Sequence, residues 1–461
     1  MKKKFLSVLL CTSMVATLVS GCGSSKVSTV SDSVADGSEE SAAEESEVIT
    51  TTAGDENGTH FEMWSFVEIH NSFYASIVDK WNEENPDRTI FVSFTTYPYA
   101  DMHNKLLMSL QAGTGAPDIC DVELGQFPNI VAGEDTWLYP LDTAIAPYKD
   151  FMVQARLDTY ASKGHYYGVP FHVGATVMYY NASLLEKYGI DYTQIKTWND
   201  YTEAGKKLKE ASNGEVSMTS VDTAGTDWMW LAMSEYGEDW TGGEGNDANV
   251  QLESVKNMLT MQQSWLEEGV AEITPDGQID CEAGFQNILD HNIASFPKAL
   301  WYMSRFTNYM PEEKGNWAIA KCPVFEEGQN CSVGIGGTGT VVTQQSSEPE
   351  LAADFLCYAK CSTEGVEQIW EQLGFDVCNT DVWTDTSITQ DTSNQYISFF
   401  RTNPFDVLNE IKNNIGKISV TSISPAINEQ ICNTTLNQVL EAGMSVDDAL
   451  QEAQDTIELE E

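Results

Sequence analysis

The sequence predicts an α/β protein of two domains, and three observations predict it. Strand-like and helix-like segments alternate from Phe61 onward, and the alternation restarts near Tyr167. About 400 residues follow the N-terminal leader and linker, more than one ordinary hydrophobic core holds. Alternation of this length indicates βαβ units and mainly parallel sheets flanked by helices.

The leader comes first. Lys2-Lys3-Lys4 precedes an apolar stretch over residues 5–19, and small residues stand before Cys22. These are the marks of a secretory signal, and the stretch is too short to cross a bilayer as a helix. The run Val19-Ser20-Gly21-Cys22 resembles the bacterial lipobox, which implies that residues 1–21 are removed and that Cys22 is lipidated. Several acyl chains anchor stably where one does not, so palmitate and its companions would hold the chain at the outer face of the cell membrane. Residues 22–59 are almost wholly Ser, Thr, Ala, Gly, Asp and Glu, with no aromatic residue. Such a segment buries too little apolar surface to offset chain entropy and reads as a disordered, self-repelling acidic linker.

The body then opens with a strand over 61–66. A helix over 72–84 carries Phe73, Ile77, Val78 and Trp81 at helical spacing and is stopped by Asn85-Pro86. A second strand (89–94), a helix (101–112) ended by Gly113-Thr114-Gly115, and a third strand (116–122) follow. After the restart, an apolar run spans 173–180, helices are predicted over 183–188 and 197–208, and strands over 317–320 and 340–343. Ser347-Glu348-Pro349-Glu350 has the spacing of a capping box with proline in the first turn. It predicts a helix through Tyr358 with Leu351, Phe355 and Leu356 inward.

The formal net charge is −46, and loss of the three leader lysines makes it −49. A body this acidic repels nucleic acid, which excludes that partner. No second long apolar run exists, so the body reads as soluble. Eight cysteines follow Cys22, and most suit packing as small hydrophobes. Cys322 and Cys331 bracket a short turn-like segment and are the best disulfide pair in an exported chain. Cys357 and Cys361, at i, i+4, sit near the upper reach of a disulfide and are read as packed thiols. No C-x-x-C pair exists, and neither metal nor cofactor is implied. Gly334-Ile335-Gly336-Gly337-Thr338-Gly339 fits a dinucleotide pattern, but strand-like residues follow it where that site needs a helix. Close approach of backbone to a ligand or neighbour is the better reading.

An ordered set of segments carries a family resemblance: Asn85-Pro86, residues 112–119, 167–171, Tyr180-Asn181, Thr197-Trp198 and Ala353-Asp354-Phe355-Leu356. Together they resemble the extracellular sugar-binding proteins of ABC importers, the maltose-binding-protein-like group (family 1). The resemblance implies a type II periplasmic-binding-protein fold, two α/β lobes with ligand in the cleft and no chemistry performed. It puts the N-lobe at 60–172 plus 324–376 and the C-lobe at 173–323 plus 377–461. Crossings fall near 170–174, 317–323 and 375–379. It also implies a membrane permease as partner, a monomer, and Gly337 and Thr338 at the cleft rim.

Sugar recognition needs polar side chains for hydroxyls and aromatic rings for the apolar ring faces. Trp301 stands where the family puts a stacking aromatic, and Trp228 and Trp230 match a cleft-lining region. Trp81 and Trp265 lie on helical patterns and read as core. Glu123 ends the third strand, and strand ends of open α/β sheets face the ligand crevice. Glu68 follows the first strand by the same logic, and His172 lies beside the first crossing. Asp118 is read as shaping its turn. Signatures of hydrolases, zinc enzymes, nucleotide loops and calcium loops are missing. The expectation is therefore a binding protein for a carbohydrate. A binding protein for a peptide or polyamine shares the fold, and with 70 acids in the chain a glycoside-active enzyme is the runner-up from another class.

Overall fold

β-branched and aromatic residues in alternation build the first sheet, and amphipathic helices cover it. The structure, a computed structural model, describes residues 49–131, 137–241 and 247–459, so the leader and Cys22 lie outside the described residues. Strands β1 (Ile49–Gly54), β2 (Thr59–Ser65), β3 (Ile90–Thr96) and β4 (Ile119–Glu123) alternate with helices α1 (Glu68–Glu84) and α2 (Tyr99–Ala112). The sheet runs in the order β1-β3-β2-β4, then Thr338–Val342, then Gly168–Pro170. In α1, Phe73, Tyr74, Ile77, Val78 and Trp81 are all buried on the sheet side. Gly113 closes α2 in the left-handed region at φ 69°, where glycine carries no Cβ penalty.

The structure corrects the linker expectation at its end. Residues 49–54 are not free chain: they pair with β3 in antiparallel register over six residues. Ile49 and three threonines are β-branched and suit a pleated strand despite the polar composition around them. The mainly parallel sheet is a second correction. β2 pairs in parallel with β3 and β4, but β1 and the strands Thr338–Val342 and Gly168–Pro170 all pair antiparallel.

The second sheet centres on Thr176–Asn181, flanked by Ser295–Ala299 and Trp317–Ala320, both antiparallel to it. Beside it, Thr219–Val221 and Ala271–Ile273 form a parallel pair. Helix Trp198–Ala211 opens on a complete capping box: Thr197 accepts from the Asp200 N–H while the Asp200 side chain accepts from the Thr197 N–H. The box expected at Ser347 does not form. Helix Pro349–Cys361 has Glu348 at its N-cap with no side-chain cap, and only its first-turn proline is as expected. Cys322 and Cys331 are both free thiols and both buried, so they pack and do not bridge.

Three chain segments join the sheets, and hydrogen bonds knit them. Val173 N–H donates to Asp376 O (2.8 Å), and Ile335 N–H donates to Gly174 O (2.9 Å). The Asp376 carboxylate accepts from the N–H groups of Gly174 (3.2 Å) and Ala175 (2.7 Å). The first passage runs between Pro170 in the first sheet and Thr176 in the second, and Asp376 lies against it. The second is displaced from its expected crossing: Trp317–Ala320 lies within the second sheet, and the chain reaches the first sheet only at Thr338. The segment between them stays with the second lobe because Ser332 and Val333 pair with Ile415 and Gly416.

Candidate functional site

A cavity of about 510 Å³ lies between the lobes, beside the three joining segments. Its first wall comes from strand ends. Phe66 and Val67 follow β2, Glu123 ends β4, and Gly336, Gly337 and Thr338 lead into the strand that neighbours β4. Its second wall is a short helix, Met303–Tyr309, and the turn Leu300–Tyr302 before it. Helical spacing puts Trp301, Ser304, Arg305 and Asn308 on one face, and all four line the cavity.

Glu123 is held by its own loop. Its Oε2 accepts from the Gly125 N–H (2.7 Å) and the Tyr99 hydroxyl (3.3 Å). Burial raises its carboxyl above the ordinary glutamate range, against these hydrogen bonds and the charge of Arg156. Such a group accepts a ligand hydroxyl when ionised and donates to it when protonated. The strand end itself is fixed from α2: the Glu123 N–H donates to His103 Nε2 (3.1 Å), while His103 Nδ1 lies 2.8 Å from Tyr99 O. One ring nitrogen must therefore be the bare acceptor and the other the donor, so the His103 tautomer is set.

The rim is organised around a buried arginine. Arg156 is only 3% exposed; its Nε–H donates to His172 O (3.0 Å) and its Nη2 to Gly336 O. Gly337 sits at φ 120°, and a Cβ there would run into the Arg156 guanidinium. Only glycine lets the backbone and the cation approach so closely. His172 is buried beside that cation, and burial with the Arg156 charge holds its pKa well below the usual histidine range. Its imidazole is therefore neutral, and the 3.7 Å approach of its Nδ1 to Asp376 is no ion pair. Asp376, buried between two joining segments, has its carboxyl pushed up to about 7 by desolvation against two backbone donors.

Trp301 is half-buried. Its indole N–H donates to Ile335 O (3.4 Å), and the Arg305 guanidinium carbon lies 5.2 Å from its ring centroid. Asp280 pins that guanidinium through two hydrogen bonds, of 2.8 and 3.1 Å. The cavity is therefore lined by an aromatic ring from one lobe and a carboxyl group from the other. Among the described residues no group of three His, Cys, Asp or Glu is arranged to hold a metal ion.

Residues 65–360 match the family model described as bacterial extracellular solute-binding protein. The chain belongs to that family. It is 39% identical over 412 residues to an arabinooligosaccharide-binding protein of Halalkalibacterium halodurans, covering 89% of this chain and 92% of the relative. It is 36% identical to an arabinooligosaccharide-binding protein of Bacillus subtilis, covering 80% and 84%. Among solved structures, the sugar-binding protein MalE of Xanthomonas citri superposes with a TM-score of 0.71 at 18% identity, over 87% of this chain and 96% of that one. At that identity the likeness establishes the fold, the two-lobed α/β architecture of this binding-protein family. No helix among the described residues is long and apolar enough to cross a membrane.

In this binding protein the cavity brings together Trp301, Glu123, His172, Gly337 and Thr338. It leaves out Trp228 and Trp230, which are 3% and 8% exposed. Their helix, Asp227–Tyr236, is buried almost all round, so its tryptophans turn into the lobe. Trp228 lies 5.6 Å from Trp198 and 5.7 Å from Trp265 by ring centroids, and Trp230 lies 4.7 Å from Trp240. Glu68 is exposed at the start of α1 and does not line the cavity; Val67, Ile69 and His70 do. Asp118 accepts from the Glu62 N–H (2.8 Å) and ties the start of β4 to β2. Sequence reasoning missed His70, Phe171, Arg305 and Phe375, all of which line the cavity. Arg305 was findable, since it follows Trp301 by one helical turn.

Proposed function

We propose that this protein is the substrate-binding component of an ABC importer, and that it holds a neutral oligosaccharide between its lobes and delivers it to the membrane permease. The observation that carries this is the two-sided cavity, with Trp301 on one lobe and Glu123 on the other. Each lobe alone supplies half of the contacts, so ligand favours closure about the three joining segments. Among the described residues that line the cavity, Glu123 is the one carboxylate. Glycoside hydrolysis generally uses two, and a polyamine asks for several, so this supports capture of an uncharged ligand without chemistry. The two relatives named for arabinooligosaccharides make an arabino-oligosaccharide the first ligand to try. The N-terminal run ending in Cys22 supports a lipid anchor at the outer face of the cell membrane.

Calorimetry with arabino-, malto- and galacto-oligosaccharides tests this. The reading expects micromolar or tighter binding of at least one series, the arabino series first. It also expects the sugar to be recovered intact by chromatography after prolonged incubation. Failure of every neutral oligosaccharide to bind would sink the function, and consumption of the sugar would turn the protein into an enzyme.

A further inference from the structure

His70 is the third residue of α1 and lines the cavity. Two other cavity-lining rings fix its plane. Its centroid lies 4.2 Å from that of Phe171, tilted by 34°, and 6.2 Å from that of Phe375, edge-on at 87°. Its Nδ1 lies 2.9 Å from Asp121 Oδ2.

Asp121 is wholly buried beneath the cleft and also accepts from Ser65 Oγ (2.8 Å) and Thr340 Oγ1 (2.7 Å). Thr340 Oγ1 lies 2.8 Å from the Tyr74 hydroxyl and accepts from Lys360 Nζ (2.7 Å). That nitrogen, its pKa pulled down to about 7 by desolvation, lies 3.4 Å from the Phe171 ring centroid, on the ring that flanks His70. Desolvation works to raise the Asp121 carboxyl, but the hydrogen bond from His70, with Lys360 and Thr340, brings it below the ordinary range. Asp121 is a carboxylate and can only accept, so the proton of the shared bond sits on Nδ1 of His70. Nε2, on the ring edge away from Asp121, has no hydrogen-bond partner among the described residues.

We propose that His70 is a specificity residue of the cleft: its Nε2 accepts a hydrogen bond from a hydroxyl of a neutral sugar, with Asp121 and Lys360 as positioning residues beneath it. The proposal rests on the carbohydrate reading above and deepens it. A bare lone pair in a partly desolvated site selects ligands that bring a donor and penalises those that lack one. A sugar carboxylate brought to the same place would set negative charge against the lone pair. Neutral oligosaccharides should therefore bind and uronate oligomers of equal length should not.

The test labels histidine with ¹⁵N in the whole protein and follows the ring nitrogens as arabino-oligosaccharide is added. Of the six histidines, His70 is assigned by its loss in His70→Phe, or in His70→Gln if the first variant does not fold. The expected free state is a single tautomer protonated at Nδ1, whose Nε2 signal moves on binding while the tautomer is kept. His70→Phe retains the ring packing and should weaken binding about tenfold, the value of one buried hydrogen bond. Asp121→Asn should mix the tautomers, since an amide can donate as well as accept. A His70 signal that stays still while calorimetry shows saturating binding overturns the proposal and leaves the function standing. So does a free state protonated at Nε2. Failure of the wild-type protein to bind any neutral oligosaccharide overturns the function itself.

Discussion

The two walls of the cleft are built on opposite plans. Behind the first-lobe wall lies a connected set of buried ionisable groups: Asp121, His70, Lys360, Arg156, His172 and Asp376. Asp121, His70 and Lys360 share one hydrogen-bonded cluster with Thr340. Arg156 holds the carbonyls of His172 and Gly336 at the rim, and Asp376 holds the backbone of a joining segment. Behind the second-lobe wall lies a mostly apolar core with Trp198, Trp228, Trp230, Trp240 and Trp265 in it, relieved by the Lys298–Asp227 pair beside Trp301. There the cleft is met by one short helix and one half-buried ring. On the proposed reading the contrast separates direction from area: hydrogen bonds from the first wall would orient a ligand, and the ring on the second would give it a flat surface to lie on.

Trp228→Ala presses hardest on this contrast. Removing a ring from the second-lobe core should cost about 3–5 kcal/mol of stability, while the folded fraction keeps its sugar affinity. Denaturant unfolding beside calorimetry measures both, and an affinity loss at unchanged stability would put Trp228 on the cleft. Glu235 is a buried carboxyl against that apolar core, and the next test uses it. It accepts from the Trp198 indole (3.0 Å) and the Phe325 N–H (2.9 Å). Burial pushes its carboxyl up from 4.5 to about 8. Between those values the folded protein keeps a proton that the unfolded chain gives up, so this group makes stability fall as pH rises through that window. Unfolding of Glu235→Gln across the same window should show a flatter profile, with the variant gaining on wild type toward its alkaline end. An unchanged slope would mean that the carboxylate is solvated after all.

Trp301→Ala addresses the second wall directly. It should keep the circular dichroism of the wild type and lose about 2 kcal/mol of sugar affinity, roughly thirtyfold, as a ring in a binding hot spot does. Undiminished affinity would return the ring to packing. Glu123→Gln has the smallest expected effect, about 1 kcal/mol or fivefold, because the amide keeps one acceptor and loses only the charge. A larger loss than that of Trp301→Ala would reverse the division between the walls.

Much of the first lobe was legible because its signals are local. Asn85-Pro86 and Gly113 end helices through backbone sterics alone, and residues 89–94 are rich in the β-branched and aromatic residues that suit a strand. The direction of the strands was not legible, since Thr338–Val342 comes back from the other lobe and its sense depends on the crossing. Residues 49–54 read as linker because acidic neighbours dominated the composition, while their β-branched threonines needed β3 beside them to become a strand. At the site, Glu123 was found by a rule about strand ends. His70 was passed over because its value comes from Asp121, 51 positions away. The tryptophans misled for a physical reason: the residue that makes a good sugar platform also fills a large core, and only burial tells the two apart.

The indole of Trp301 has an optical consequence. Of the twelve tryptophans, only this one and Trp137 escape full burial. Nearly all of the protein's ultraviolet emission therefore arises in dry surroundings that a dissolved quencher such as iodide does not reach. The small quenchable share comes from two rings, one of them lying on the cleft and hydrogen-bonded to a segment that joins the lobes. If a sugar sits on that ring as proposed, it takes the ring out of the solvent, and occupancy of the cleft becomes readable as a change in accessible light, with no label attached.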